Sequence, residues 1–318
     1  MVSSKVSKNI PKNLLSKISD FDLRLLRVFR TVVDSGGFSN AEVVLNVSRS
    51  SISISMSDLE KRLGLRLAQR GRAGFSLTEE GKAVYDACLQ LFNSLENFRT
   101  QVNALHNQLR GELSIGITDN MVTMKKMNIT QALKNLKIRN PEVQISIRMM
   151  PPADIEQALI SGSLHVGLVP KIRELKGIKS IDIYSETSYL YCSNQHPLFL
   201  EDDSRKTDAE IFEFDAVTSA TAKPVTALQH YKSLKTTATS NDREGIAFLI
   251  LTGEYIGYLP DHVAQQWIDK GMIKAIKPRK FRYQTQYQVI SKATASANML
   301  RDYFIDLLQA PSGEVPVQ

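Results

Sequence analysis

The stretch "RSSISISMSD", residues 49–58, alternates small polar and apolar side chains. Taken alone, that is the period of a half-buried strand. Extending the window to Leu63 changes the reading. Ile52, Met56, Leu59 and Leu63 recur at spacings of 4, 3 and 4, so at helical pitch they fall within roughly 60° of one another. Ser50, Ser51, Ile54, Ser57, Asp58 and Lys61 then share the opposite side. Ser48 has the chemistry of an N-cap, and Gly64 that of a helix stop. Serine is a mediocre helix former that prefers caps and turns. A helix spanning 48–63 with a serine-rich outer face therefore needs a reason for that face.

The neighbouring segments supply a context. Ser39 and Glu42 have capping-box spacing, with Phe38 and Val43 placed as a hydrophobic staple, which predicts a second helix ending near Leu45. Before it, Leu25, Phe29 and Val32 mark one face of a helix from about Asp20 to Ser35, closed by Gly36-Gly37. Three short helices with a tight turn between the last two form a helix-turn-helix. Small hydroxyls on such a helix approach the major groove closely and bond to phosphates or bases. Ile54 suits a thymine methyl, and Arg49 a guanine or a phosphate. The plainer alternative is a solvated serine face. Residues 66–81, "RLAQRGRAGFSLTEEG", read as a basic hairpin, a wing over 70–78, followed by a helix that Thr78 caps. The residues expected to meet DNA are thus Ser39, Ser48, Arg49, Ser50, Ser51, Ser53, Ile54, Ser57, Arg70 and Arg72.

A third pattern follows. Val84, Cys88, Leu91, Leu95, Phe98, Val102, Leu105 and Leu109 alternate spacings of 4 and 3, the seven-residue repeat of a coiled coil. A narrow apolar seam on an otherwise polar helix needs a partner, and these eight residues are the expected dimerisation set. Packing on the chain's own C-terminal part is the alternative.

Charge points the same way. The net charge of the 318 residues is +7, of which +6 falls within residues 1–111 (16 Lys/Arg against 10 Asp/Glu). A polyanion-binding module joined to a nearly neutral one fits this asymmetry. No apolar run is long enough for a membrane span, and no secretory signal is apparent. Cys88 and Cys192 match no metal or redox spacing, so a cytoplasmic location is expected.

Residues 20–81 resemble the winged helix-turn-helix of LysR-type transcriptional regulators. The resemblance is carried by "DFDLRLLRVFRTVVDSGGFSNAEVVLNVSRSSIS", "LEKRLGLRLAQR" and "LTEEGKAVY". It implies that Arg49, Ser50, Ser53 and Ile54 face DNA with the wing at Arg70 and Arg72. Two positions depart from the family pattern: Arg49 stands where Gln is usual, and Ile54 where a basic residue is common. Arg49 and the wing are then expected to carry more of the non-specific affinity. Residues 1–19 extend beyond the family's usual start and read as a flexible basic arm. The resemblance implies a winged helix-turn-helix over 20–79 and a linker helix over 80–110. It also implies a two-lobed, periplasmic-binding-protein-like α/β effector domain over 111–310, with a tail over 311–318.

The sequence of that last part agrees with alternating strands and helices. "ELSIGIT" alternates as a strand, and a helix is expected from about Asn120, its N–H groups suited to a carboxylate. "ALISGSLHVGLVP" (158–170) is similar to "FLILTGEYIGYLP" (248–260), which predicts two lobes built alike: lobe I from 111–184 and 286–310, lobe II from 185–285. Ligands of open α/β sheets bind at the carboxyl ends of strands. The effector-lining candidates are Thr118, Asn120, Thr123, Met150, Pro151, Val169, Thr218, Ser219, Thr221, Ser240 and Tyr258. No basic residue is assigned to this cleft.

Catalytic motifs are missing from the sequence: there is no G-x-S-x-G, Walker A, G-x-G-x-x-G or H-E-x-x-H, and the five histidines show no metal spacing. The expectation is a ligand-responsive regulator, dimeric or tetrameric, with double-stranded DNA and a small effector as partners and no cofactor or metal. The alternatives are an architectural DNA-binding protein without an effector, and, further off, an α/β enzyme.

Overall fold

The computed structural model describes residues 18–71, 74–104, 109–124, 127–200, 205–293 and 298–310. Two compact units divide the chain between Leu95 and Glu96. The first holds α1 (Asp20–Asp34), α2 (Phe38–Leu45), α3 (Arg49–Leu63), the hairpin β1 (Ala68–Gly71) and β2 (Gly74–Leu77), and most of α4 (Glu79–Ala104). The disputed serine stretch is α3. Ile52, Met56 and Leu59 are each at most 2% exposed and share a core with Leu25, Phe29 and Val32 of α1. Each such burial stabilises the unit by about 2 kcal/mol.

The hairpin pairs antiparallel, Ala68 with Leu77 and Arg70 with Phe75. Its base is fixed to α4 by close approach: a Cβ on Gly81 would lie 1.9 Å from the Leu67 carbonyl oxygen, so no other residue fits there without shifting backbone. The start of α2 differs from expectation. The helix begins at Phe38 with Gly37 as its N-cap and no side-chain cap. Val43 is 82% exposed, so there is no staple. Glu42 turns instead to the next helix, accepting from the Arg49 N–H at 3.2 Å.

One buried charge ties α1 to α3. The Asp22 carboxylate accepts from Ser19 N (2.9 Å) and Ser19 Oγ (2.6 Å), closing the capping box of α1, and receives a two-pronged donation from Arg62. The Arg62 and Ser19 hydrogen bonds hold its pKa at about 2, below the ordinary 3.8. A depressed carboxylate pKa adds stability that is fully present above pH 4 and drains away as pH falls from about 4 to about 2. Asp22→Ala removes the N3 half of the capping box and the carboxylate that pairs with Arg62. It is expected to cost about 2–3 kcal/mol in thermal or urea unfolding, with the difference from wild type shrinking below pH 4.

The second unit is an α/β structure. In chain order it contains β3 (Gly111–Ile117), α5 (Ile129–Arg139), β4 (Val143–Met149), α6 (Pro152–Ser161), β5 (Val166–Pro170) and β6 (Ile178–Ser193). These are followed by α7 (Asp208–Phe212), β7 (Asp215–Ser219), α8 (Val225–Tyr231), β8 (Lys235–Ser240), α9 (Arg243–Leu251) and β9 (Ile256–Pro260). The chain closes with α10 (Asp261–Ile268), β10 (Ile273–Ala275), β11 (Arg282–Lys292) and α11 (Met299–Gln309). The strand order is β4-β3-β5-β11-β6-β9-β7-β8, with β10 beside β6. In one half β3 pairs parallel to β4 and β5; in the other β7 pairs parallel to β8 and β9. The same arrangement thus appears twice, as the repeat between 158–170 and 248–260 suggests. The repeated glycine has a packing reason in both copies. A Cβ on Gly167 would lie 2.6 Å from Ile155 of α6, and one on Gly257 would lie 2.7 Å from Val217 and 3.1 Å from Ile250 of α9.

β6 and β11 run antiparallel through both halves, and their register shifts between Tyr287 and Gln288. The bulge sits at the end of the stretch of β11 that pairs with β5, toward the part of β6 that pairs with β9, close in sequence to the 184/185 and 285/286 boundaries expected from the sequence.

Candidate DNA-binding surface and effector cavity

On the first unit, Ser48 Oγ accepts from the Ser51 N–H and lies 2.9 Å from both the Ser50 and Ser51 hydroxyls. The three form a small exposed hydroxyl cluster at the start of α3. Arg49 is exposed, Ile54 is 62% exposed, and Ser53 and Ser57 are half-buried. Ser39, Arg49 and Ser53 line one hollow with Gly36, Phe38, Gly74 and Phe75, so residues from α2, α3 and the start of β2 converge. Arg70 enters only through its backbone in β1; its side chain and Arg72 lie outside the described residues.

The heptad residues part company. Val84 packs on the core of the first unit, and Cys88 is buried there, its Sγ 3.6 Å from the Leu26 carbonyl. Burial pushes that thiol up to about 12. Cys88 is therefore covered by the chain's own first unit, and Val84 is partly buried on the same unit. Leu91 is half-buried. Leu109 is likewise removed from the seam: it is buried in the core of the second unit with Leu113 and Phe304. Leu105 lies outside the described residues. What remains exposed on α4 is Leu95 (39%), Phe98 (67%) and Val102 (41%), still spaced 3 and 4.

In the second unit a cavity of about 300 Å³ opens between the two lobes at the strand ends. Thr118, Met150, Pro151, Ser219, Thr221 and Tyr258 line it, as expected. Five other candidates do not. Asn120 sits at φ 55° heading a three-residue 3-10 turn, Met121–Thr123, so no helix starts there to hold a carboxylate. Thr123 points instead at His262 Nδ1, 2.6 Å away. Val169 is buried against Ile155, Leu159 and Ile290. Thr218 is buried within β7, whose alternation turns it from its lining neighbour Ser219. Ser240 Oγ accepts from the Asp242 N–H at 3.3 Å.

The charged side chains of the cavity were not anticipated. Arg243 donates to Glu186 (3.0 and 3.2 Å), to the Tyr287 hydroxyl and to the Asp119 carbonyl (2.8 Å), and its own N–H reaches the Asp119 carboxylate at 2.7 Å. Burial works against the guanidinium charge, but Tyr287, Glu186 and Asp119 together raise its pKa above that of a free arginine. Glu186, only 2% exposed, also meets His262 Nε2 at 2.9 Å. Asp119 and Thr123 follow β3 in one half of the unit and Arg243 and His262 lie on α9 and α10 in the other, so this hub joins the two halves at the cavity wall. Beside it the Tyr231, Tyr258 and Tyr283 rings pack at tilted angles with centroids 5.2–5.9 Å apart. Lys223 lies 4.8 Å above the Tyr231 ring. The sequence carried one signal for Arg243: a cation in the first turn of a helix opposes the helix dipole, which marks a residue placed for some other purpose.

Comparison with known proteins decides the class. Residues 23–82 match the model of the bacterial regulatory helix-turn-helix protein, lysR family, and residues 106–311 match the LysR substrate binding domain. The chain belongs to the LysR family of transcriptional regulators. It is 47% identical over 292 residues to the HTH-type transcriptional activator BauR of Pseudomonas aeruginosa, covering 92% of this chain and 96% of that one. It is 25% identical to the SDS degradation transcriptional activation protein of a Pseudomonas species, over 90% of this chain and 96% of that one. Among solved structures, full-length CbnR complexed with its target DNA superposes with a TM-score of 0.62 at 19% identity, covering 90% of this chain and 98% of that one. Membership of the LysR family makes this protein a ligand-responsive, DNA-binding transcriptional regulator and not an enzyme. Among the described residues, no helix is long and apolar enough to cross a membrane.

Proposed function

We propose that this LysR-family regulator reads its operator through α3 and the β1–β2 hairpin and binds its effector in the cavity between the lobes. It would work in the cytoplasm as a dimer or tetramer. One observation carries the DNA reading: α3 buries its whole apolar stripe in its own unit, yet leaves Ser48, Arg49, Ser50, Ser51 and Ile54 exposed together. The uncapped start of α2 offers backbone N–H groups to a phosphate in the hollow shared by Ser39, Arg49 and Ser53. Arg70 and Arg72 would add phosphate contacts from the wing. The exposed Leu95, Phe98 and Val102 would meet the same residues of a second copy, setting two α3 helices about 34 Å apart or a multiple of it. The likeness to BauR, named as an activator, supports activation over repression.

The effector acts only if it binds one setting of the lobes better than another. The Arg243–Glu186 hub joins residues of both lobes, and a ligand beside it changes what those residues hold. Duplexes selected by the protein from a randomised library test the DNA reading by fluorescence anisotropy. Arg49→Ala is expected to weaken binding by about 1–3 kcal/mol, with relaxed preference at one base pair. Ile54→Glu, which sets a carboxylate against the groove, is expected to weaken it at least as much. Wild-type affinity in both variants would remove α3 from the interface.

A further inference from the structure

The cavity has one cation whose charge is not answered. Arg243 is neutralised by Glu186 and Asp119. Lys223 lies half-buried in the same cavity. Its ammonium donates to the Ser219 carbonyl and lies over the Tyr231 ring, and it meets no carboxylate among the described residues. A desolvated ammonium held by one neutral carbonyl and a ring face is poorly compensated. An independent observation lies one ring away. Tyr258 is 3% exposed and lines the cavity, and its hydroxyl is buried with no hydrogen-bond partner among the described residues. Buried hydroxyls are rarely left so. An unanswered cation and an unused donor therefore sit on two side chains of the cavity wall that share one neighbour: the Lys223 ammonium lies 4.8 Å from the Tyr231 centroid and the Tyr258 ring 5.2 Å from it.

We propose that Lys223 and Tyr258 form an anion subsite, and that the effector is a small organic monocarboxylate. The inference rests on the reading of this cavity as the effector site and deepens it. A single negative charge is favoured over two because Asp119, Glu186 and Asp242 also line the cavity and repel a phosphate dianion. An organic tail is favoured because the remaining wall is largely apolar, with Met149, Met150, Pro151, Pro170 and Ile246. A volume near 300 Å³ is at the small end for ligand sites, which favours a small molecule. Burial lowers the Lys223 pKa, and an incoming carboxylate would restore it.

The test is calorimetric titration and thermal melting of the full chain with the straight-chain acids from acetate to hexanoate, with butyramide, and with inorganic phosphate. At least one acid is expected to bind, with the amide and phosphate weaker by tenfold or more. Lys223→Met is expected to weaken the acid about ten- to hundredfold, the loss of one charge-assisted hydrogen bond. Tyr258→Phe is expected to weaken it severalfold. Both variants should melt near wild type without ligand, since neither removes a contact that bridges the lobes. No binding by any acid, equal binding of butyramide, or full affinity in Lys223→Met would each overturn the proposal. Met150→Trp, which fills the opposite wall, separates the two readings. If it abolishes binding of a compound that Lys223→Met leaves unchanged, the cavity stands as the site and the anion subsite falls. Acid binding unaffected by Met150→Trp would sink the cavity reading itself.

Discussion

Arg243→Met is expected to cost the effector unit about 3–5 kcal/mol, the penalty for leaving a buried charge without its partner. For a unit of this size that is a fall of roughly 10 °C or more in its melting transition. The reason lies in Glu186, 2% exposed in the middle of β6, whose carboxylate otherwise meets, among the described residues, His262. Met reproduces most of the arginine's length and apolar stem, so packing is not the main loss. Tyr287 and the Asp119 carbonyl lose their donor at the same time. The double variant Arg243→Met/Glu186→Leu removes both charges and is expected to recover much of the stability, because a paired buried charge contributes little net. Additive losses in the double variant, or a single-variant cost below 1 kcal/mol, would show that water reaches the hub and that it does not hold the lobes together. If it does hold them, the single variant should also respond differently to effector, since the lobe setting that the ligand selects would no longer be fixed by the hub.

The parts of this molecule that were legible in its sequence are those set by short-range period. Ile52, Met56, Leu59 and Leu63 identify α3 because a helix returns to the same face every three or four residues, and nothing beyond fifteen residues is needed to see it. The two halves of the effector unit were visible through "ALISGSLHVGLVP" and "FLILTGEYIGYLP", since each glycine must admit a helix against a strand. The cavity was less legible. Its strand ends were found, but whether Thr218 or Ser219 faces the opening depends on where β7 emerges relative to the crossing strands. The hub was not legible at all. Its contacts join Arg243 to residues 124, 57 and 44 positions away, a juxtaposition that no local pattern encodes. The segment after Asn120 misled for the opposite reason: Asn120 takes left-handed backbone and heads only a 3-10 turn, Met121–Thr123, and the regular helix starts at Ile129 after Asn128, which is left-handed too. A heptad, finally, states that a seam exists but not what covers it, and Val84 and Cys88 turn toward their own unit, Cys88 against Leu26 of α1.

Phe98→Glu tests what covers the remainder. The side chain is two-thirds exposed on a helix of 26 residues, about 40 Å long, and Leu95 and Val102 flank it on the same face. Three large apolar side chains in a row on a charged helix are costly in water unless another surface meets them. In a symmetric pair each Phe98 lies near its own counterpart, so glutamate places two like charges in the seam. The unit below it is untouched, because Cys88, Leu89 and Phe92 still bury against their own chain. Helix content by circular dichroism is therefore expected to stay close to wild type, while the mass by sedimentation at least halves. DNA affinity is expected to fall by about two to four orders of magnitude, since each α3 then binds its half-site without the other's effective concentration. Leu95→Glu should act in the same direction, and a glutamate at Ser94, on the solvated face, should do nothing. A Phe98→Glu protein that keeps both its mass and its affinity would leave the exposed stripe unexplained and place the pairing of copies elsewhere in the chain.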